Sequence, residues 1–231
     1  MSNPPVLIGV DASTGASSVA LAIGDQVLAR QKAGVRATAG WLLDSASALL
    51  AEAGLARNAI DAVVAARGPG GFTGVRISVG VAQGLALGLD RPTIGVSSLE
   101  VLAHTAWVQA PAAAGFLAVL DARMGEVYTA AFERVDASGS QPQLAVYRHE
   151  ALMDPAAVPV CDPGWWVAGS GLVAYPMLHR CGPAGAQARC VPEIRAIMPI
   201  AQARFAAGER TVGAALQPVY LRHRVAERPS A

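Results

Sequence analysis

Residues 6–30 read VLIGVDASTGASSVALAIGDQVLAR, and their pattern sets the fold class. Val6–Val10 is a short apolar run ending on Asp11, as a buried strand ends where the chain leaves a sheet. Ser13-Thr14-Gly15 supplies a turn, and Ser18–Ile23 resumes with the small and β-branched residues that suit a second strand. Gly24-Asp25 is a hairpin signal before Gln26–Arg30. The chain therefore opens strand, polar loop, strand, hairpin, strand.

Beyond the hairpin the apolar period changes to that of a helix. Leu42, Ala46, Leu49, Leu50 and Ala53 recur at helical spacing within Trp41–Ala53, and Gly54 suits the C-terminal cap. Ala62–Ala66 reads as a strand, Val75–Leu87 as a helix and Pro92–Val96 as a strand, with Ser97 or Ser98 able to cap the helix that follows. This alternation is the signature of an α/β protein with mixed sheets flanked by helices. Around Gln109–Gly115 the composition shifts to proline and alanine, which marks a lobe boundary. Phe116–Asp121, Glu126–Arg134 and Gln143–Arg148 then form a second strand-rich segment. An apolar stretch Trp165–Gly169, a helix from Leu172 to about Arg180 and a last helix over Ile197–Ala207 complete the pattern, the last starting near Pro199. Asp11 and Asp121 each end a strand that precedes another, a coarse pattern common to both halves. The expected division is 1–108, carrying a glycine-rich loop, and 109–231, whose C-terminal segment packs back on the first lobe.

Composition excludes several classes. With 53% hydrophobic and 15% charged residues the chain is not disordered. A formal charge of +1 leaves no global field for tight nucleic-acid binding by this chain alone. The locally basic run Tyr220–Arg228, with Arg222, Arg224 and Arg228, reads as a solvated tail or as a nucleic-acid or partner contact. Cys161, Cys181 and Cys190 leave one thiol unpaired in any disulfide scheme. The N-terminus lacks the basic and apolar regions of a signal peptide, and no uninterrupted apolar run reaches roughly eighteen residues. A reducing cytoplasm fits these features.

The strongest local signal is the loop Gly68, Pro69, Gly70, Gly71, Phe72, Thr73, Gly74. Its four glycines allow positive φ and close backbone approach, and a helix follows it, so it suits either a tight structural turn or an anion site. The Gly-Lys-Ser/Thr of a P-loop is missing. Asp11, Ser13 and Thr14 stand where a sheet strand ends, a usual place for ligand groups, although the same side chains also satisfy a sharp turn. Gly80, Gly84 and Gly88 lie four apart on one helical face, which implies close approach of another backbone, either the helix's own sheet or a partner subunit. Asp121, Arg123 and Glu126, beside Tyr128, read as a salt-bridged hairpin. Zinc through Cys161, His179, Cys181 and Cys190 is disfavoured by spacing. His104, His149 and His223 form no further motif, and Gly169-Ser-Gly171 is no nucleophile elbow. Trp165-Trp166 suits core or a lobe junction better than base stacking.

Taken together, Leu7–Thr14 with Ser18–Leu21, Gly68–Ile77, Val96–Ala103, Asp121–Arg123 with Glu126–Tyr128, and Pro218–Arg222 resemble the TsaB (YeaZ) family of tRNA threonylcarbamoyladenosine biosynthesis proteins. The resemblance spans nearly the whole chain. It implies two related α/β lobes of the actin, sugar-kinase and heat-shock ATPase kind, with a ribonuclease H-like sheet. It also implies a pseudoenzyme that forms a heterodimer with a TsaD-like catalytic subunit through first-lobe helices, joined by a TsaE-like ATPase, for N6-threonylcarbamoylation of the adenosine 3′ to the tRNA anticodon. ATP, threonylcarbamoyl-adenylate and a metal then belong to the complex and its catalytic partner, with no cofactor held tightly by this chain and no catalytic or metal-binding residue in it. A homodimer is expected in isolation, and tRNA is met through the complex. Asp11, Ser13 and Thr14 become a vestigial phosphate loop. The catalytic relative's metal needs paired histidines on a helix, and Trp41–Ala53 carries none. Gly71 stands where serine is common in the family, and the histidine often found before the first-lobe helix is missing. On this reading Gly80 and Gly84 admit the partner, and Leu42, Leu49 and Leu50 are its apolar anchors. The competing readings are an active actin-like small-molecule kinase or ATPase, and an endopeptidase, the latter opposed by the missing nucleophile–base pair.

Overall fold

The computed structural model describes residues 4–34, 39–135 and 143–222. Its first sheet has the order β3-β2-β1-β4-β5. β1 (Val6–Asp11), β2 (Ala16–Ile23) and β3 (Gln26–Ala33) form an antiparallel meander, with Val10 opposite Val19 and Ala20 opposite Ala29. β4 (Ala62–Ala66) and β5 (Thr93–Val96) add in parallel on the other side of β1. β1 and β4 are buried along their whole length, as continuous apolar runs in a parallel pair must be.

The second sheet repeats this plan with the order β10-β9-β6-β7-β8. β6 (Gly115–Arg123), β7 (Glu126–Val135) and β8 (Gln143–Met153) form the meander, and β9 (Trp165–Ala168) and β10 (Gly185–Gln187) add in parallel. Asp11 and Asp121 thus occupy equivalent places near the ends of the two central strands. The ribonuclease H-like arrangement occurs twice, and this duplication is the two-lobed actin-like architecture.

Helices cover the faces. α1 (Ala39–Glu52) and α2 (Phe72–Leu89) pack on one face of the first sheet through Leu42, Leu49, Val79 and Ala82 against Ile8, Val10 and Val63. α3 (Ser98–Gln109) lies on the second sheet through Leu99, Leu102 and Ala106 against Phe116 and Leu120. Its start is fixed by Ser97, whose Oγ accepts from the amides of Leu99 and Glu100 at 3.2 and 3.4 Å. α2 is the one helix among the described residues long and apolar enough to cross a membrane, with a mean hydropathy of 1.3. It buries Val75, Val79, Ala82 and Ala86 instead against its own lobe.

Two sequence expectations change here. The helix expected from Leu172 to Arg180 breaks into α4 (Gly171–Ala174) and a 3-10 turn, Pro176–Cys181, because Tyr175 precedes proline and leaves the helical region with φ −135° and ψ 83°. The short strand β10 carries no apolar alternation and escaped the pattern.

The chain after Cys190 returns to the first sheet. Ile194, Ile197, Met198 and Ala201, from a 3-10 turn and α5 (Met198–Ala206), pack on the face opposite α1 and α2. Residues 211–222 then run back beside α2. Thr211 exchanges two 2.8 Å backbone hydrogen bonds with Thr93, Gln83 Nε2 donates to the Leu216 carbonyl at 2.8 Å, and the Val219 amide donates to the Arg67 carbonyl at 2.8 Å. Arg222 ends the segment on the second lobe, 2.7 Å from Glu126.

Candidate functional site

The turn after β1 and the glycine loop are packed backbone against backbone. The Ala12 amide donates to Ser78 Oγ at 2.6 Å, and the Gly71 amide donates to the Ser13 carbonyl at 2.8 Å. A Cβ at Gly70 would strike the Ser13 carbonyl oxygen, and one at Gly74 would strike that of Ala12. Neither glycine has positive φ, and that requirement falls on Gly68 alone within the loop, at φ +97°. Pro69 is buried behind it, while Phe72 and Thr73 are exposed. Asp11 Oδ1 accepts from the Ser13 amide at 2.7 Å. Its Oδ2, Ser13 Oγ and Thr14 Oγ1 are buried without a hydrogen-bond partner.

A second feature lies on the outer side of α1 and α2. A groove of about 470 Å³ is lined by Ala39 and Leu43 of α1 and by Arg76, Ile77, Gly80, Val81, Gly84 and Leu85 of α2. A smaller and more enclosed hollow of about 280 Å³ continues past Leu43 and Leu85 towards Asp44 and Arg57. Nothing stands within 4 Å of a Cβ built on Gly80, Gly84 or Gly88, so this glycine face does not contact its own sheet. Leu42, Leu49 and Leu50 do not serve as the expected anchors. They are 0–5% exposed within the core, because their side of α1 faces the sheet. The leucine that α1 offers outward is Leu43, 40% exposed. One apolar residue beyond the core stripe was the available signal.

The family model described as "TsaD: tRNA N6-adenosine threonylcarbamoyltransferase" matches residues 25–156, which include α1, the glycine loop and α2. The protein from Escherichia coli named "tRNA threonylcarbamoyladenosine biosynthesis protein TsaB" is 36% identical over 227 residues, covering 95% of this chain and 96% of the relative. The chain belongs to the TsaB family. The like-named protein of Haemophilus influenzae is 30% identical, with 95% and 94% of the two chains covered. The solved structure "YeaZ from Pseudomonas aeruginosa" superposes with a TM-score of 0.85 at 36% identity, over 94% of this chain and all of that one.

The remaining candidate groups of this TsaB-family chain form no second cluster among the described residues. Asp121 accepts from the Arg123 amide at 2.8 Å and pairs with its guanidinium at 3.1 Å, and Arg222 takes up Glu126. Arg224, Arg228 and His223 lie outside the described residues. Cys161 and Cys181 sit in the core on one side of the second sheet and Cys190 on the other, so they do not converge. Burial pushes the Cys161 thiol up to about 11 and Cys190 up to about 12. Among the described residues no three His, Cys, Asp or Glu side chains gather as metal ligands. Trp165 is buried beside Tyr147, ring centroids 5.1 Å apart, as a core residue.

Two buried titrating groups oppose each other. Burial raises Asp11 from 3.8 to about 6, against the lowering effect of the hydrogen bond it accepts from the Ser13 amide. Burial, with Arg204 adding to it, lowers His104 from 6.5 to about 4. A raised carboxyl favours the folded state below its unfolded pKa and loses that contribution as pH rises from about 4 to 6. A lowered imidazole contributes above about 6.5 and loses that contribution as pH falls towards 4. Asp11→Asn keeps the Oδ1 acceptor and removes the buried charge. It is expected to raise stability at pH 7.5 by on the order of 2 kcal/mol and to unmask the His104 loss as a steeper fall below pH 6.5. Denaturant unfolding across pH 4.5–7.5 checks this expectation. A variant less stable than wild type at pH 7.5 contradicts it.

Proposed function

We propose that the chain is the non-catalytic subunit of a tRNA-modifying complex. In it the chain supports a TsaD-like catalytic subunit and, with a TsaE-like ATPase, N6-threonylcarbamoylation of the adenosine 3′ to the anticodon. The observation that carries this reading is the 36% identity, over almost the full length of both chains, to a protein named for tRNA threonylcarbamoyladenosine biosynthesis. The groove on α1 and α2 supports the docking role, since an apolar, glycine-floored surface admits another helix closely. ATP, threonylcarbamoyl-adenylate and the metal are assigned to the partners, and the cytoplasm, where tRNA is modified, is the compartment that fits. α1 carries no histidine where the catalytic relative needs a pair, which agrees with an accessory role.

Reconstitution tests the proposal. Unmodified tRNA, threonine, bicarbonate, ATP and the adenylate-forming enzyme are supplied to TsaD-like and TsaE-like proteins with and without this chain. Nucleoside mass spectrometry is expected to find threonylcarbamoyladenosine only when the chain is present, and the chain alone is expected to turn over neither ATP nor tRNA. Equal modification without it, or robust ATP turnover by it alone, sinks the reading.

A further inference from the structure

The C-terminal segment reaches the docking groove through one arginine. Arg76 Nε donates to Tyr220 Oη at 2.8 Å, and its guanidinium carbon lies 3.7 Å from the centroid of the Phe72 ring. The two rings stand 5.8 Å apart, so a long, flexible side chain is held on two sides. Its terminal amino groups meet no carboxylate and no other hydrogen-bond acceptor among the described residues. Arg76 also forms part of the wall that contains Leu43, Gly80 and Gly84, and it is the only charged side chain among the described residues lining that groove.

An apolar groove ending in one oriented cation, with no carboxylate beside it among the described residues, is complementary to an apolar helix that carries a carboxylate. Arg76, Gly80 and Gly84 succeed one another at four-residue steps, so the backbone of Arg76 stands one helical turn, about 6 Å along the axis, from the first glycine of the floor. The TsaD family model spans the α1 and α2 region, which supports a corresponding helix pair on a TsaD-like partner. Resting on the docking role proposed above, we infer that Arg76 is a specificity anchor that pairs with a carboxylate on the TsaD-like partner's docking helix. Tyr220 is the positioning residue. It fixes the guanidinium before contact and so reduces the side-chain entropy lost on association. The C-terminal segment thereby belongs to the binding site although it lies outside the groove.

The test measures affinity of the full chain for the purified TsaD-like subunit at low and high salt, with thermal unfolding of every variant in parallel. Arg76→Gln is expected to weaken binding about tenfold at low salt and to remove most of its salt dependence, with unchanged unfolding. Arg76→Lys restores charge without the planar fork and recovers part of the affinity. Tyr220→Phe keeps the ring and removes the hydroxyl, with an expected loss of about threefold and retained salt dependence. Wild-type affinity and salt slope in Arg76→Gln overturn the inference alone. Failure of the wild-type chain to bind overturns the docking role and this inference with it. An effect confined to self-association, seen by light scattering, makes the occupant a second copy and overturns the inference as stated.

Discussion

Gly74→Ala is expected to destabilise the isolated chain by on the order of 3 kcal/mol or more, although alanine is the better helix former. Gly74 is the third residue of α2, and helix propensity alone would credit the substitution with up to about 1 kcal/mol. Sterics reverse the sign. The new methyl is driven into the Ala12 carbonyl oxygen and lies 3.0 Å from its carbon, so the obstacle is backbone and cannot rotate away. Ala12 is itself tied to α2 through Ser78 Oγ, and Ser13 to the loop through the Gly71 amide, so relief requires separating β1 from the helix start. Overpacking against a constrained backbone falls at the costly end of small-to-large changes. Gly80→Ala is the matched control. It lies in the same helix with open space around its Cβ, and a gain of about 0.5–1 kcal/mol is expected. Urea midpoints of the two variants should move in opposite directions from wild type. A Gly74→Ala midpoint at or above the wild-type value would falsify the close-approach account.

That contrast shows which parts of the molecule the sequence makes legible. Ala62–Ala66, fully buried in the parallel part of the sheet, is visible as a short apolar run with the observed ends. A serine cap at 97 or 98 is legible for the same local reason, because side-chain oxygen and amide are neighbours in the chain, and the fold selects Ser97. The importance of the glycine loop is visible, but its cause is not. Positive φ is a property of one residue, whereas the contacts of Gly70 and Gly74 are with Ser13 and Ala12, about sixty residues away. The helical period of α1 likewise marks an apolar stripe without saying what covers it. Leu42, Leu49 and Leu50 form that stripe, and it faces the sheet. β10 and the Tyr175 break carry too few residues for a period, and they form because longer elements hold them.

Gly84→Leu is expected to separate folding from binding. The isolated chain should keep its fold and its unfolding midpoint or gain slightly, since the Cβ points into open space and leucine has the higher helix propensity. Affinity for a TsaD-like partner should fall by about thirtyfold or more, together with complex-dependent tRNA modification. The new side chain lies in the groove beside Leu85 and Leu43, in the volume a docked helix would occupy. Loss of close packing at the centre of an interface costs on the order of 2–4 kcal/mol. The buried leucines cannot report on this question. Leu42→Ala or Leu49→Ala removes core packing at a cost of about 2–5 kcal/mol and would weaken binding through unfolding alone. Gly84→Leu and Gly88→Leu therefore form the informative pair. Both glycines face open space, but only Gly84 lines the groove, so Gly88→Leu should leave affinity closer to wild type. Calorimetric titration of the partner subunit with wild type and both variants decides the matter. If Gly84→Leu folds and binds with wild-type affinity, the partner does not enter between α1 and α2, and the docking face lies elsewhere on the molecule.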